Sequence, residues 1–514
     1  MTQNERMSLP FWKKLLLLIF SIIFFVLQVT LMIMAFDISI SYTASSIKWI
    51  YFLTLGVGFC YVLYILHKPI SVHYKLTWSI LILLFPLLFC TLYTLNGSSR
   101  QLSKRKQKKI KEAIKHVKVN DSLKLLQDAD PVGANLVQVV QHSELAPVYE
   151  GDKIHFFKNV YDKFEDMLEE LKKAEHYIFI EYYIVAKGYL MDRLYPILAQ
   201  KGQEGVEIKI LYDDIGSKVG MSRRLLQQIA KIPNCKINNY EPLGLNINFM
   251  VNYRDHRKVV IIDGRIAYCG GDNLADEYIH KKERFGYWRD NCIKYEGRVV
   301  STFVFMFGEM WYISTREVLS KNLFIPKYEP QDSGFVMAFG DGPMNNTNPA
   351  YDLFQTLISS AKRYVYISTP YFVIDDSMIQ TIALKAKSGV DVKLLMPKIP
   401  DKKSVFYMGR QNYRDILLAG GKIYEYTPGF NHAKNIIVDD YYAFAGTINM
   451  DYRSLFLHYE CGALILHNPQ VLEMKNDFED AINSSELISY EAWVKRPWYQ
   501  KVIAFILNIF APMF

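Results

Sequence analysis

Cysteine is scarce in this chain. Six are present in 514 residues, Cys60, Cys90, Cys235, Cys269, Cys292 and Cys461, and none stands in a Cys-x-x-Cys pair. That excludes a disulfide framework and a cysteine zinc module, and leans toward a reducing compartment. No small-residue cleavage site follows the first apolar segment, so that segment reads as an anchor rather than a removed signal peptide. No internal repeat of solenoid period is present. Charge of one sign is not dominant: Lys and Arg exceed Asp and Glu by a net +8.

The length is too great for one ordinary domain, and half of the residues are hydrophobic. The excess lies before about residue 98. Leu15–Phe36 is almost wholly apolar and follows Lys13 and Lys14. Similar runs extend from about Ile47 to Leu66 and from Leu76 to Leu95, the last with Pro86 at its middle. About 20 such residues span a bilayer core, so residues 1–98 are expected to form membrane-anchoring transmembrane helices. Residues 99–130 form a basic linker: from Arg100 to Lys118 nine Lys and Arg face the single acid Glu112. Its place after apolar segments favours anionic lipid over nucleic acid and a cytoplasmic position. Two crossings put both basic ends on that side and three do not, so the third segment is either a crossing or a re-entrant element bent at Pro86. At the other end, residues 491–514 carry Trp493, Lys495, Arg496, Trp498 and Lys501 before an apolar run too short to span, which reads as an interfacial tail.

The intervening sequence repeats itself once. His176–Tyr183 resembles Arg363–Pro370, Gly205–Leu211 resembles Gly389–Leu395, and His256-Arg-Lys258 matches His432-Ala-Lys434, in the same order. Apolar strand-like runs alternate with helical patterns, so each copy reads as an α/β half. The expected halves are 131–331 and 349–490, joined by a Gly-, Asp- and Asn-rich connector over 332–348.

The chemistry sits in the last repeat. His256-Arg-Lys258-Val-Val-Ile-Ile-Asp263 is followed by Gly270-Gly271-Asp272-Asn273. His432-Ala-Lys434-Asn-Ile-Ile-Val-Asp439 is followed by Gly446-Thr447-Ile-Asn449. Strand alternation would put each His and Lys on one face, with the Asp at the closing turn. Glycine admits a ligand closely and asparagine can donate to an oxygen. His, Lys and Asn in duplicate suit a phosphate: lysines and asparagines hold phosphoryl oxygens, one histidine attacks and the other protonates the leaving oxygen. Asp290 follows His256 by 34 residues and Glu460, in His458-Tyr-Glu460, follows His432 by 28. Either acid suits the task of holding one imidazole nitrogen while the other acts. A metal site would want further His or carboxylate ligands close by, and none is expected.

Both motifs resemble the signature of the phospholipase D superfamily. Glu181-Tyr-Tyr183, Tyr212-Asp-Asp-Ile-Gly-Ser217, Asp276-Glu-Tyr278, Trp288-Arg-Asp290, Thr369-Pro-Tyr-Phe372 and Pro428-Gly-Phe-Asn-His432 are similar to the bacterial cardiolipin synthases within it. The resemblance implies two similar α/β halves around one shared site, preceded by N-terminal transmembrane helices. It implies a covalent phosphohistidine on His256, with His432 as general acid and Lys258, Asp263, Lys434 and Asp439 as catalytic partners. Asn273, Asn449, Gly271 and Thr447 take the substrate-binding positions, and Asp290 and Glu460 orient the histidines. Asp272 stands where relatives often carry an aromatic. The implied reaction joins two phosphatidylglycerols into cardiolipin and releases glycerol, without cofactor, metal or nucleic acid, at the cell membrane with the catalytic part on the cytoplasmic face. Hydrolysis of the phospholipase D type, transfer of the phosphatidylserine synthase type, a nuclease and a non-enzymatic scaffold are the rivals. Both intact motifs oppose the scaffold and the apolar N-terminus opposes the nuclease.

Overall fold

A computed structural model describes residues 44–68, 72–96, 121–240, 253–320, 323–343, 345 and 347–511, with isolated positions 23, 26 and 30. The chain divides into two compact units, one of residues 1–100, 243–252 and 506–514 and one of residues 101–242 and 253–505.

The described part of the first unit is helical. Helices run over Ala44–Leu66, Val72–Leu84 and Pro86–Asn96. Proline cannot continue a helix but fits its first turn, and Pro86 accordingly ends one helix and opens the next. The continuous third segment expected over Leu76–Leu95 is therefore two short helices. Val62, Ile65, Trp78, Ile82, Leu92 and Tyr93 form a small core, while Phe52, Leu53, Phe59 and Tyr64 are exposed. Among the described residues, no helix is long and apolar enough to cross a membrane. In the first helix the side chains of residues 44–48, 50 and 51 lie outside the described set. The expected span over Leu15–Phe36, apart from its three isolated positions, and the basic run at Arg100–Lys118 also lie outside it.

The second unit holds two sheets of matching order. The first runs Lys153–Phe157, Cys292–Glu296, Ile266–Gly270, Lys258–Ile262, Tyr177–Tyr182, Glu207–Asp213 and Cys235–Tyr240. The second runs Phe335–Asp341, Glu460–Leu466, Tyr442–Gly446, Asn435–Val438, Tyr364–Ser368, Asp391–Pro397 and Lys422–Tyr426, with Val148–Glu150 and Ser485–Ile488 added at its edges. Position for position, the repeat detected in the sequence is a duplicated fold. In each sheet the last three strands of that order are mutually parallel and the histidine-motif strand is antiparallel to its neighbours.

The strands are buried on both faces, which explains their continuous apolar runs. The outer faces carry a core in each half. The inner faces share one, into which the almost wholly buried helix Val300–Thr315 is packed. Phe179, Val259 and Ile261 from the first half join Ile437, Ala445 and Ile465 from the second there.

Two expected boundaries move. The stretch 332–348 is not a connector, because Phe335–Asp341 pairs along its length with Glu460–Leu466 as an inner strand. Its continuous Phe-Val-Met-Ala-Phe run, buried throughout, outweighs the flanking turn residues. Residues 123–150 belong to the second half: Leu126, Leu136 and Val137 pack in its outer core, and Val148–Glu150 pairs with Phe335–Met337. Trp493, placed in the tail, is likewise buried in that core.

Candidate active site

Each histidine motif enters its sheet in the same way. His256 and His432 stand just before the strands, and Asp263 and Asp439 close them with left-handed backbone at φ 51° and 54°. Those two aspartates turn away from the histidines. Asp263 accepts from the backbone N–H groups of Glu175, His176 and Tyr177 at 2.8 Å. Asp439 does the same for Lys362, Arg363 and Tyr364. The catalytic role expected for them is therefore replaced by a structural one: each ties the end of its own strand to the start of the neighbouring strand.

The lead-in segments cross between halves. The His256 N–H donates to the Tyr459 carbonyl at 2.9 Å, and the His432 N–H to the Arg289 carbonyl at 2.7 Å. Gly429–Asn431 pairs in parallel with Tyr287–Arg289. Each motif is thereby laid beside the acid of the opposite half. His256 Nδ1 stands 2.8 and 3.0 Å from the two Glu460 oxygens, and His432 Nδ1 stands 2.6 Å from Asp290 Oδ2. The pairing is exchanged with respect to chain order: the acid that follows one histidine holds the other.

Both rings are nearly buried, with side-chain exposures of 11% and 8%. Burial holds both imidazoles well below their usual range, and Lys434 and Lys258 add to this at His432. Each ring turns Nδ1 to its carboxylate and leaves Nε2 to act. Burial pushes Asp290 up to about 6, against the pull of Lys434. At Glu460 burial also pushes upward, but His256, His458 and Lys258 outweigh it and hold the carboxyl below its ordinary value.

The two lysines complete a shared centre. Burial lowers Lys258, which feels both Glu460 and Asp290. Lys434 is pushed down to about 7 by burial while feeling the same two acids. Each ammonium donates to its own histidine's carbonyl oxygen. Both are buried donors that feel the same pair of acids.

The positions expected to hold substrate divide. Thr447 donates its hydroxyl to Glu460 and so positions the acid behind His256. Gly271, its counterpart, gives room to the other acid, since a Cβ there would lie 2.1 Å from Asp290 Oδ1. Asn273 is braced at both ends, accepting from Ile184 N–H and donating to the Tyr278 hydroxyl at 2.6 Å. Asn449 donates to Ser454 at 3.1 Å, and its buried Oδ1 has no partner among the described residues. Asp272 faces away, in a buried ion pair with Lys163.

Other contributors stand within the sequence motifs, which assign them no role. Tyr278, Trp288 and Phe430 surround the His432 ring at 5.6–5.7 Å between centroids, and Tyr183 meets His256 edge-on at 4.9 Å. His458 stands 5.3 Å from His256, ring to ring. The alternation that joins His256 to Lys258 also joins His458 to Glu460, and was the available signal. Among the described residues His256, His458 and Glu460 form the group able to hold a metal ion.

A duplicated α/β fold bringing two histidine–carboxylate pairs and two buried lysines together defines a protein of the phospholipase D-like class. Residues 167–303 and 354–482 match the family model described as cardiolipin synthase, PLD-like domain. A Streptococcus mutans protein described as uncharacterized is 36% identical over 88% of this chain and 99% of its own. The cardiolipin synthase of Geobacillus sp. (strain WCH70) is 32% identical over 86% of this chain and 89% of its own. Cardiolipin synthase 2 of Bacillus anthracis is 32% identical over 85% and 86%. The crystal structure of phosphatidylserine synthase from Haemophilus influenzae shares the fold, with TM-score 0.57 and 17% identity over 73% of this chain and 96% of that one. The chain belongs to the cardiolipin synthase family of phospholipase D-like proteins.

Proposed function

We propose that this protein is a membrane-bound phosphatidyltransferase that makes cardiolipin and glycerol from two phosphatidylglycerol molecules. The exchanged histidine–carboxylate pairs carry the reading, because they supply two imidazoles with free Nε2 atoms and opposite tasks at one phosphate. Relatives named cardiolipin synthase, aligned over most of this chain, supply the substrate class.

In the first step His256 Nε2 attacks phosphorus. The P–O bond to the headgroup glycerol breaks, and His432, which enters this step as an imidazolium protonated from solvent and paired with Asp290, gives that oxygen its Nε2 proton. In the second step a hydroxyl of another phosphatidylglycerol loses its proton to His432, forms the new P–O bond, and displaces His256. Lys258 and Lys434 neutralise the phosphoryl oxygens throughout. Glu460, anchored by Thr447, fixes the attacking ring, and Asp290 fixes the ring that shuttles the proton. The aromatic side chains around His432 keep water from the intermediate before the lipid alcohol arrives.

Membrane attachment through the N-terminal apolar segments, with several crossings and the catalytic unit on the cytoplasmic face, belongs to the same proposal. The apolar runs, the basic run at Arg100–Lys118 and the exposed Trp498, Phe505 and Ile506 near the C-terminus support it. Labelling of a single cysteine in the catalytic unit from outside intact cells would refute that orientation.

The deciding experiment incubates the purified protein with phosphatidylglycerol vesicles and identifies the lipid products. Cardiolipin and free glycerol are expected. Phosphatidic acid without cardiolipin would identify a hydrolase instead.

A further inference from the structure

His458 takes no step of its own in the phosphatidyl transfer described above, beyond its pull on Glu460, yet its position is unusual. It is 9% exposed. Neither ring nitrogen has a hydrogen-bond partner among the described residues, and Nδ1 stands 3.7 Å from Glu460 Oε1, too far for a hydrogen bond. A buried imidazole with both nitrogens unpaired is costly unless something else satisfies it.

His256 and Glu460 stand beside it. Each of the three offers one ligand atom, these atoms lie within 4.8 Å of one another, and all three residues are buried. Two imidazoles and one carboxylate are a donor set suited to zinc, whose bonds to them run at about 2.0–2.2 Å. Modest side-chain rotation brings such atoms onto one ion, leaving a fourth position for water or an alcohol. Magnesium and calcium prefer six or more oxygens and suit this set poorly.

We infer that His256, His458 and Glu460 form an inhibitory binding site for a divalent transition-metal ion of the zinc class. If the ion takes Nε2 of His256, it occupies the lone pair that attacks phosphorus. If it takes Nδ1, the ring proton moves from Nδ1 to Nε2, so that Nε2 has no lone pair left to attack phosphorus. Either way His256 cannot form the phosphorus–nitrogen bond. The inhibitory part rests on the proposed function, whereas the binding part stands on the geometry alone.

The test uses the full chain, purified and freed of metal with a chelator. Zinc binding is measured by calorimetry and cobalt binding by visible absorption, for the wild type, His458→Gln and, as a surface control, His142→Gln. Folding is checked by circular dichroism, and His458→Asn replaces the glutamine variant if that one does not fold. One tight site is expected in the wild type and in His142→Gln, weakened at least tenfold without His458. Zinc should stop cardiolipin formation, the chelator should restore it, and the inhibiting concentration should rise at least tenfold in the His458 variant.

Equal zinc affinity with and without His458 would overturn the inference. So would zinc binding without inhibition, equal inhibition by magnesium, or a chelated enzyme that is inactive because the ion is needed. A protein that makes no cardiolipin under any condition, yet loses its cobalt absorption in His458→Gln, would refute the proposed function and leave the metal site standing.

Discussion

The two histidine pockets arise from one duplicated motif and have diverged in what surrounds them. Around His432 the walls are aromatic, formed by Tyr278, Trp288 and Phe430, and its partner Asp290 is pushed up to about 6. Around His256 the surroundings are polar. Glu460 contacts the ring with both oxygens, receives the Thr447 hydroxyl and has His458 beside it. Position 447 shows how small the cause is. In the first half its counterpart is Gly271, where any side chain would collide with Asp290; in the second a threonine fits and anchors the acid. An anionic, doubly held carboxylate suits a ring that must be aimed and whose positive charge must be balanced once the phosphorus–nitrogen bond has formed. An apolar setting suits a ring that passes a proton and must exclude water.

The largest effects should come from removing either ring. His256→Ala and His432→Ala should each lower turnover by about 10⁴-fold or more, because the two act as one unit. Substantial activity in either purified variant would dissolve the comparison. Next come the acids. Glu460→Gln and Asp290→Asn should each cost about 10²–10⁴-fold, and histidine NMR should show which ring each change disturbs. Loss of Glu460 should lower the His256 pKa further, since that carboxylate favours the imidazolium, and should leave His432 in place. The opposite assignment would refute the exchanged pairing.

A pH effect follows from Lys434. Its ammonium is held down to about 7, so in the free enzyme the charge that binds phosphate is present below that value and lost above it. kcat/KM should therefore fall as pH rises through about 7, whereas kcat, measured with phosphate bound, should hold to higher pH. Lys434→Arg, which stays charged, should move the alkaline limb upward even if its absolute rate is lower.

Smaller still is Thr447→Val. It keeps the shape, removes the hydroxyl donated to Glu460, and should slow turnover by about tenfold. Smallest in chemistry should be Asp263→Ala and Asp439→Ala. Each leaves three N–H groups short of an acceptor, one of them buried, so about 2–4 kcal/mol of stability should go. kcat of the surviving folded protein should stay near the wild-type value, and thermal melting alongside single-temperature kinetics separates the two.

Legibility in the sequence followed the range of the interaction. The repeated strands and the histidine–lysine spacing were readable because they are local and periodic, and the turns at Asp263 and Asp439 lie where the pattern placed them. The tasks of those aspartates were not readable, since their partners at Glu175 and Lys362 lie far away in the chain. The exchange of Asp290 and Glu460 depends on lead-in segments crossing between halves, which no local spacing encodes. The strand at Phe335–Asp341 was masked by the turn-forming residues around it. His458 was within reach, two residues before an acid already singled out, but its meaning depends on His256 arriving from the other half.

The central claim is that the polar pocket attacks and the aromatic pocket transfers the proton. It is tested most directly by rapid quench of the enzyme with phosphatidylglycerol into mildly alkaline denaturant, which preserves the acid-labile phosphorus–nitrogen bond, followed by peptide mapping of the covalent adduct by mass spectrometry. The account predicts the phosphatidyl group on the peptide containing His256. A phosphatidyl group on the peptide containing His432 would contradict it.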